Sequence, residues 1–210
     1  MPTPATPPNA RTRLLHAALD VIRAQGYAAT TLDDLCASAG VTKGAFFHHF
    51  PSKEALGVAA AEHWSTTTAA FFATAPYHHH ADPLDRLLGY IDFRADLLQG
   101  PPAAFTCLAG TLVQEVFDTS PPIRIACAEG IFAHAQRLEP DIEAAIAQYG
   151  VPDLDARSLA LHTQAVLQGA FILAKAQGGP ELARESVAHL RRYILLLFRP
   201  HSPHGAPHAN

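Results

Sequence analysis

The side chains best equipped for chemistry cluster between Thr31 and Leu56, in TLDDLCASAGVTKGAFFHHFPSKEAL. Lys43 and Lys53, two of only three lysines in the chain, bracket the segment GAFFHHFPS. Cations so placed can neutralise phosphates, and the hydroxyls of Thr31 and Thr42 can each cap a helix or reach a phosphate oxygen. His48 can contact a base edge or a phosphate. The chemistry on offer is recognition of a polyanion, not bond making. GxSxG, HExxH, P-loop and glycine-rich dinucleotide motifs do not occur in the sequence, so no enzyme is expected.

Two short helices joined at Gly40 must carry these groups. Leu32, Leu35 and Ala39 give the first an apolar face, and Ala39 is small where two helices approach. Gly40 supplies a turn conformation that a branched residue resists. Val41 fills the angle, and Thr42 starts a second helix to about His49. A preceding helix, Arg11 to Gln25, repeats apolar residues at 14, 15, 18, 19, 21 and 22 and stops at Gly26. Such a helix pair can lay its second member in a major groove.

With Thr31, Leu35, Ala39-Gly40-Val41-Thr42, Gly44, Phe47, His49-Phe50, Ser52-Lys53 and Leu56 in place, the segment resembles the TetR family of bacterial transcriptional regulators. The resemblance implies that Thr42, Lys43, Gly44 and His48 face DNA, and that Thr31 and Lys53 touch phosphates. Phe47 stands where the family usually has Tyr, which loses a hydroxyl and leaves packing or a thymine-methyl contact. His49 is expected to support packing. Two lysines per subunit in a dimer would neutralise about four phosphates, a salt slope on the order of −3.6. Arg11 and Arg13 could add minor-groove or phosphate contacts.

The remaining chain reads as an all-α body. The protein has 210 residues, 49% hydrophobic and 16% charged, and a formal net charge of −4. Residues 1–57 carry five Lys/Arg against four Asp/Glu, so the acidic excess lies in the body. About nine helices are expected in all. The expected domains are a helix-turn-helix head over 1–50, with a flexible arm at 1–9, and an effector-binding and dimerisation domain over 51–199. A disordered tail is expected at 200–210. No apolar stretch is long enough for a membrane span and no signal segment is seen, so a cytoplasmic location is expected.

The last two long helices offer a dimer face: Leu154, Leu159, Leu161, Val166, Leu167 and Phe171 in one, Val187, Leu190, Ile194, Leu195 and Leu197 in the other. The resemblance implies a four-helix bundle across a two-fold axis, so that two heads read a palindromic double-stranded operator. It also implies a small-molecule effector cavity in the middle helices. The candidate lining is Trp64, Phe71, Leu88, Ile91, Phe105, Cys107, Leu108, Leu112, Phe132 and Phe171, with His134 and His162 as polar anchors. Cys107 opens a helix, where a thiol gains reactivity, so a redox- or electrophile-sensing regulator is one alternative. A nucleoid-binding architectural protein of the same fold is another. The run His78–His80 lacks a partnering Cys or paired carboxylate, so neither metal nor cofactor is expected.

Overall fold

The computed structural model describes residues 8–151 and 153–198. The expected tail from 200, and residues 1–7 of the expected arm, lie outside them. Local rules explain the first helices. Asn9 caps α1 (Ala10–Gln25) by accepting the Thr12 N–H at 2.9 Å. α2 (Leu32–Ala39) opens on a reciprocal cap. Thr31 Oγ1 accepts the Asp34 N–H at 3.1 Å, while the Asp34 carboxylate accepts the Thr31 N–H at 2.9 Å. Gly40 closes α2 in the left-handed conformation, φ +61°. Thr42 caps α3 (Lys43–His49) through the Ala45 N–H at 3.1 Å. The fully buried Phe46 fixes α3 to the cluster of Leu14, Leu35, Ala39 and Phe50.

α4 (Lys53–Ala73), capped by Ser52, runs from this head into the body. A 3₁₀ turn (Pro76–His79) and α5 (Pro83–Asp96) follow, then a single turn α6 (Pro102–Phe105) and α7 (Leu108–Val116). α8 (Pro121–Gln136), α9 (Glu139–Tyr149), α10 (Ala156–Gln177) and α11 (Glu181–Leu197) complete the described chain. Every regular element among the described residues is helical. Two longer helical runs are divided. The stretch 121–148 breaks at residues 137–138, because Pro140 has no N–H to continue the ladder and sits in the first turn of α9. The stretch 105–117 breaks at Thr106-Cys107, where both residues are extended and Cys107 becomes the cap of α7.

The core forms two clusters. One joins α1–α4 to Leu108, Leu112 and Val116 of α7 and to Ile123 and Cys127 of α8. The other is built from α5, α9, α10 and α11. The head therefore shares a core with α7 and α8. Most of the expected dimer-face residues need correction: Leu159, Leu167, Phe171, Val187, Leu190 and Ile194 are buried within the chain. α10 and α11, joined by a turn at Gly178, spend their strongest apolar stripes on each other and on α5 and α8. Ile172, Leu173, Tyr193 and Leu196 are the large apolar residues they leave exposed.

Candidate nucleic-acid interface and ligand cavity

α3 has one buried face and one free face. Phe46 and Phe50 point inward, while the cap Thr42 and Lys43, Gly44, Phe47 and His48 are exposed, the last four as positions i, i+1, i+4 and i+5 of one helix. Phe47 is 52% exposed, with its ring edge-on to Phe46 at 5.3 Å. That contact covers only part of the ring and leaves the rest free for a partner. Gly44 gives the same message. A Cβ there would meet only Thr42 Oγ1, at 3.7 Å, so nothing inside the chain demands glycine. A bare backbone in a helix costs up to about 1 kcal/mol against Ala, and the gain is room for a close neighbour.

The other expected contacts are partly engaged within the chain. Lys43 Nζ pairs with Asp33 at 2.8 Å, both side chains being well exposed, so the pair is weak and exchangeable. Thr31 gives its hydroxyl hydrogen to Asp34 Oδ2 at 2.7 Å, and these bonds hold the Asp34 carboxyl below the usual range. Lys53 is further from its expected role. Its ammonium donates to Tyr27 O at 2.8 Å and Thr30 O at 2.7 Å, and lies 4.2 Å from the Tyr27 ring centroid. Partial burial pushes its pKa below the ordinary lysine value. Lys53 thus ties the α1–α2 turn to α4. Arg11 and Arg13 belong to the first turn of α1, with Arg11 stacked 5.4 Å from the Phe50 centroid.

The turn is held from the body as well. Glu115 on α7 accepts the Tyr27 N–H at 3.0 Å and the Ala28 N–H at 2.9 Å. Gly26, at φ +88°, permits this approach, since a Cβ there would stand 2.7 Å from Glu115 Oε1. On the other side of α1, Arg23 lies 5.0 Å from the Trp64 ring centroid. Trp64 is in turn a wall of a cavity between α4, α8 and α10.

That cavity has room for the centre of a water-sized sphere over about 50 Å³, and about 550 Å³ of non-protein space when its opening to solvent is counted. Its apolar walls include Trp64, Phe105, Ile131 and Phe171, and its polar ones Arg94, His134, Arg137, Gln164 and Gln168. Behind the wall Gln164 Nε2 donates to Tyr90 Oη at 3.1 Å, and Tyr90 Oη and His134 Nε2 share a hydrogen bond of 3.0 Å. Burial first, and then the charges of Arg94 and Arg137, push the His134 pKa down to about 3, so this imidazole is neutral. Arg94 stacks on Phe72 and Phe171, 5.2 and 5.4 Å from their ring centroids.

Of the expected effector-binding residues, Trp64, Phe105, Cys107, His134 and Phe171 come together at this cavity. The others do not. Leu88, Ile91, Leu108 and Leu112 are buried in the two cores, and Leu108 and Leu112, four apart on α7, share its inward stripe. Phe71 is turned one helical step from the buried Phe72 and is 49% exposed, and Phe132 is 60% exposed beside the lining Ile131. His162 stacks outside on Tyr193, ring centroids 5.2 Å apart. Arg94, Arg137, Gln164 and Gln168 were missed. His134 and Arg137 at i, i+3 and Gln164, Gln168 and Phe171 at i, i+4, i+7 were the available signals.

Cys107 also lines a second cavity, with Thr106, Thr111, Gln168 and Lys175. Its Sγ accepts the Gly110 N–H at 3.4 Å, and Lys175 Nζ donates to Thr111 Oγ1 at 2.7 Å. Cys36 and Cys127 are buried, and burial pushes the Cys127 thiol up to about 12. No group of three or more metal-ligating side chains occurs among the described residues, and His78 Nε2 donates to Phe72 O at 3.0 Å. No helix among them is long and apolar enough to cross a membrane.

Residues 14–60 match the family model for bacterial regulatory proteins of the tetR family. Residues 83–190 match that for the tetracyclin repressor-like C-terminal domain. The HTH-type transcriptional repressor KstR2 of Mycolicibacterium smegmatis is 41% identical over 54 residues, 26% of this chain and 26% of that protein. The repressor DhaR of Mycobacterium sp. (strain GP1) is 27% identical over 114 residues, 54% of this chain and 56% of DhaR. The chain spans 18% of the length of the Bacillus subtilis regulator YerO, at 38% identity over 52 residues. Among solved structures, a TetR transcriptional regulator from Chloroflexus aurantiacus superposes with TM-score 0.77 at 27% identity, over 89% of this chain and 94% of that one. The reduced form of Escherichia coli NemR shares the fold at TM-score 0.75 and 24% identity, over 87% and 95% of the two chains.

Proposed function

This chain belongs to the TetR family of bacterial regulatory proteins, DNA-binding transcriptional regulators, and from that membership we propose that it is a homodimeric repressor released by a small-molecule effector. The observation that carries the DNA contact is the α3 face of Thr42, Lys43, Gly44, Phe47 and His48, exposed and with little intramolecular use. One short helix reads few base pairs, so two copies on a palindrome supply the specificity. The exposed Ile172, Leu173, Tyr193 and Leu196 of α10 and α11 support a second copy packing there. The effector cavity touches α4 through Trp64 and the cap of α7 through Cys107. Arg23 and Glu115 connect those same elements to the head. An effector that prefers one placement of α4 and α7 therefore shifts the spacing of the two heads, and DNA and effector affinities are reciprocally coupled. Selection from random duplex DNA tests this: a two-fold symmetric consensus is expected, and binding without sequence preference would favour the architectural alternative.

A second reading rests on Cys107. It is the one cysteine among the three that is not buried, it caps α7, and it opens on both cavities. In that version oxidation or alkylation of its thiol replaces the ligand. DNA release by oxidant in the native protein and none in Cys107→Ser is the expected result; an unchanged response in the variant overturns it.

A further inference from the structure

We infer that the cavity walled by Trp64, Arg94, Arg137 and Phe171 recognises an amphipathic organic anion: a carboxylate on a flat or extended apolar body. This rests on the reading of the cavity as an effector site and names the class of ligand. The cavity lining contains two guanidinium groups, Arg94 and Arg137, and no carboxylate. The four ion pairs among the described residues use Arg23, Lys43, Arg86 and Arg191, so neither lining arginine has an acidic partner there. The carboxylate four residues beyond Arg137, Asp141, is already bound by Arg86 at 2.6 Å.

The neutral groups on the wall point the same way. His134, Gln164 and Gln168 line the cavity, and each carries at least one N–H. The lining is thus rich in donors and in positive charge. Both guanidiniums line the same partly enclosed pocket, where an anion would give them the partner the lining lacks. The planar fork of an arginine suits the two oxygens of a carboxylate. Arg94 Cζ lies 5.2 and 5.4 Å from the ring centroids of Phe72 and Phe171, contacts that restrain the guanidinium at the pocket wall. Trp64, Phe105 and Phe171 supply the apolar remainder. A small inorganic anion would leave those rings without a partner, and a neutral hydrocarbon would leave two arginines unpaired.

The test uses the full-length protein without DNA and three pairs of probes: benzoate with benzamide, phenylacetate with phenylacetamide, and octanoate with octanamide. Inorganic phosphate is the fourth arm. Binding is read by calorimetry and thermal shift up to about 5 mM. The acids are expected to bind at least tenfold more tightly than their amides, and phosphate more weakly than the best acid. Arg94→Gln and Arg137→Gln should each weaken the acids by tenfold or more and leave the amides within threefold. Amides binding as well as acids, phosphate binding as well as the best acid, or no acid binding at all overturns the inference. The comparison of acid with amide needs no variant, so misfolding of a variant cannot mask the answer. An acid that binds the cavity yet leaves DNA affinity unchanged would refute effector release while leaving the ligand class standing.

Discussion

Replacing Glu115 with Ala should loosen the head from the body by a measurable amount. Glu115 holds the α1–α2 turn through the N–H groups of Tyr27 and Ala28, at 3.0 and 2.9 Å. Hydrogen bonds to a charged acceptor are worth about 1.5–3 kcal/mol when sheltered, and neutral or water-exposed ones about 0.5–1.5. Both bonds here are exposed, so each falls in the lower part of that range and the pair together is worth about 1–2 kcal/mol. If the loss is global, Tm falls by about 2–8 °C in a chain of this size. If it is local, amide exchange at residues 27 and 28 accelerates by about fivefold to thirtyfold. Hydrogen–deuterium exchange on peptides covering 24–31, with a thermal melt in parallel, separates the two. Glu115→Gln keeps one acceptor oxygen and should fall between the native protein and Glu115→Ala. Gly26→Ala attacks the same contact from the other side. Its Cβ would crowd Glu115 Oε1 and its φ of +88° is strained for alanine, so it should cost about 1–3 kcal/mol. Because both changes break one contact, their costs should add incompletely. Unchanged exchange at residues 27 and 28 in Glu115→Ala would refute the idea that α7 positions the head.

Gly44→Ala should leave Tm equal or slightly higher, since a Cβ fits and alanine favours helix, while DNA affinity drops at least tenfold; a binding titration beside a melt checks both. Lys43→Met should weaken DNA binding without lowering Tm and reduce the salt slope by about 0.9 per subunit, measured from affinities at several salt concentrations. Lys53→Met should lower Tm as well, because two carbonyls and an aromatic face lose their cation. His134 titrates near 3 in the folded protein and near 6.5 unfolded, so the unfolded state binds more protons between those values. Its stabilising contribution is full above 6.5 and is lost as pH falls toward 3, by up to about 1.4 kcal/mol per unit. Denaturant melts of His134→Gln between pH 7 and 5 should show a correspondingly flatter stability profile than the native chain.

The head was legible because its demands are local. Thr31 with Asp34 three residues on, a glycine at 40 that must be left-handed, and Thr42 before a short amphipathic run are each fixed by residue type and spacing. Lys53 was harder. Its charge suggests a phosphate, but the carbonyls of Tyr27 and Thr30 that claim it converge only when the α1–α2 turn folds against α4. The cavity was half legible for a related reason. Large apolar residues in the middle helices suggest its walls, yet Leu108, Leu112 and Ile91 fill the cores. Arg94 and Arg137 read as surface charges until packing turns them toward the same space. Periodicity assigns a helix a buried face; it does not say whether that face meets another helix or a hollow.

The central claim is that this chain reads DNA as a pair of heads. A fluorescence anisotropy titration onto duplex DNA from its own upstream region, with excess nonspecific competitor and the mass of the complex measured in parallel, addresses it most directly. Saturable binding at two chains per site, with a salt slope near −2 if only Lys43 of each chain releases counterions, is the predicted result. Affinity no greater than for a random duplex, or a saturated complex holding a single chain, would contradict it.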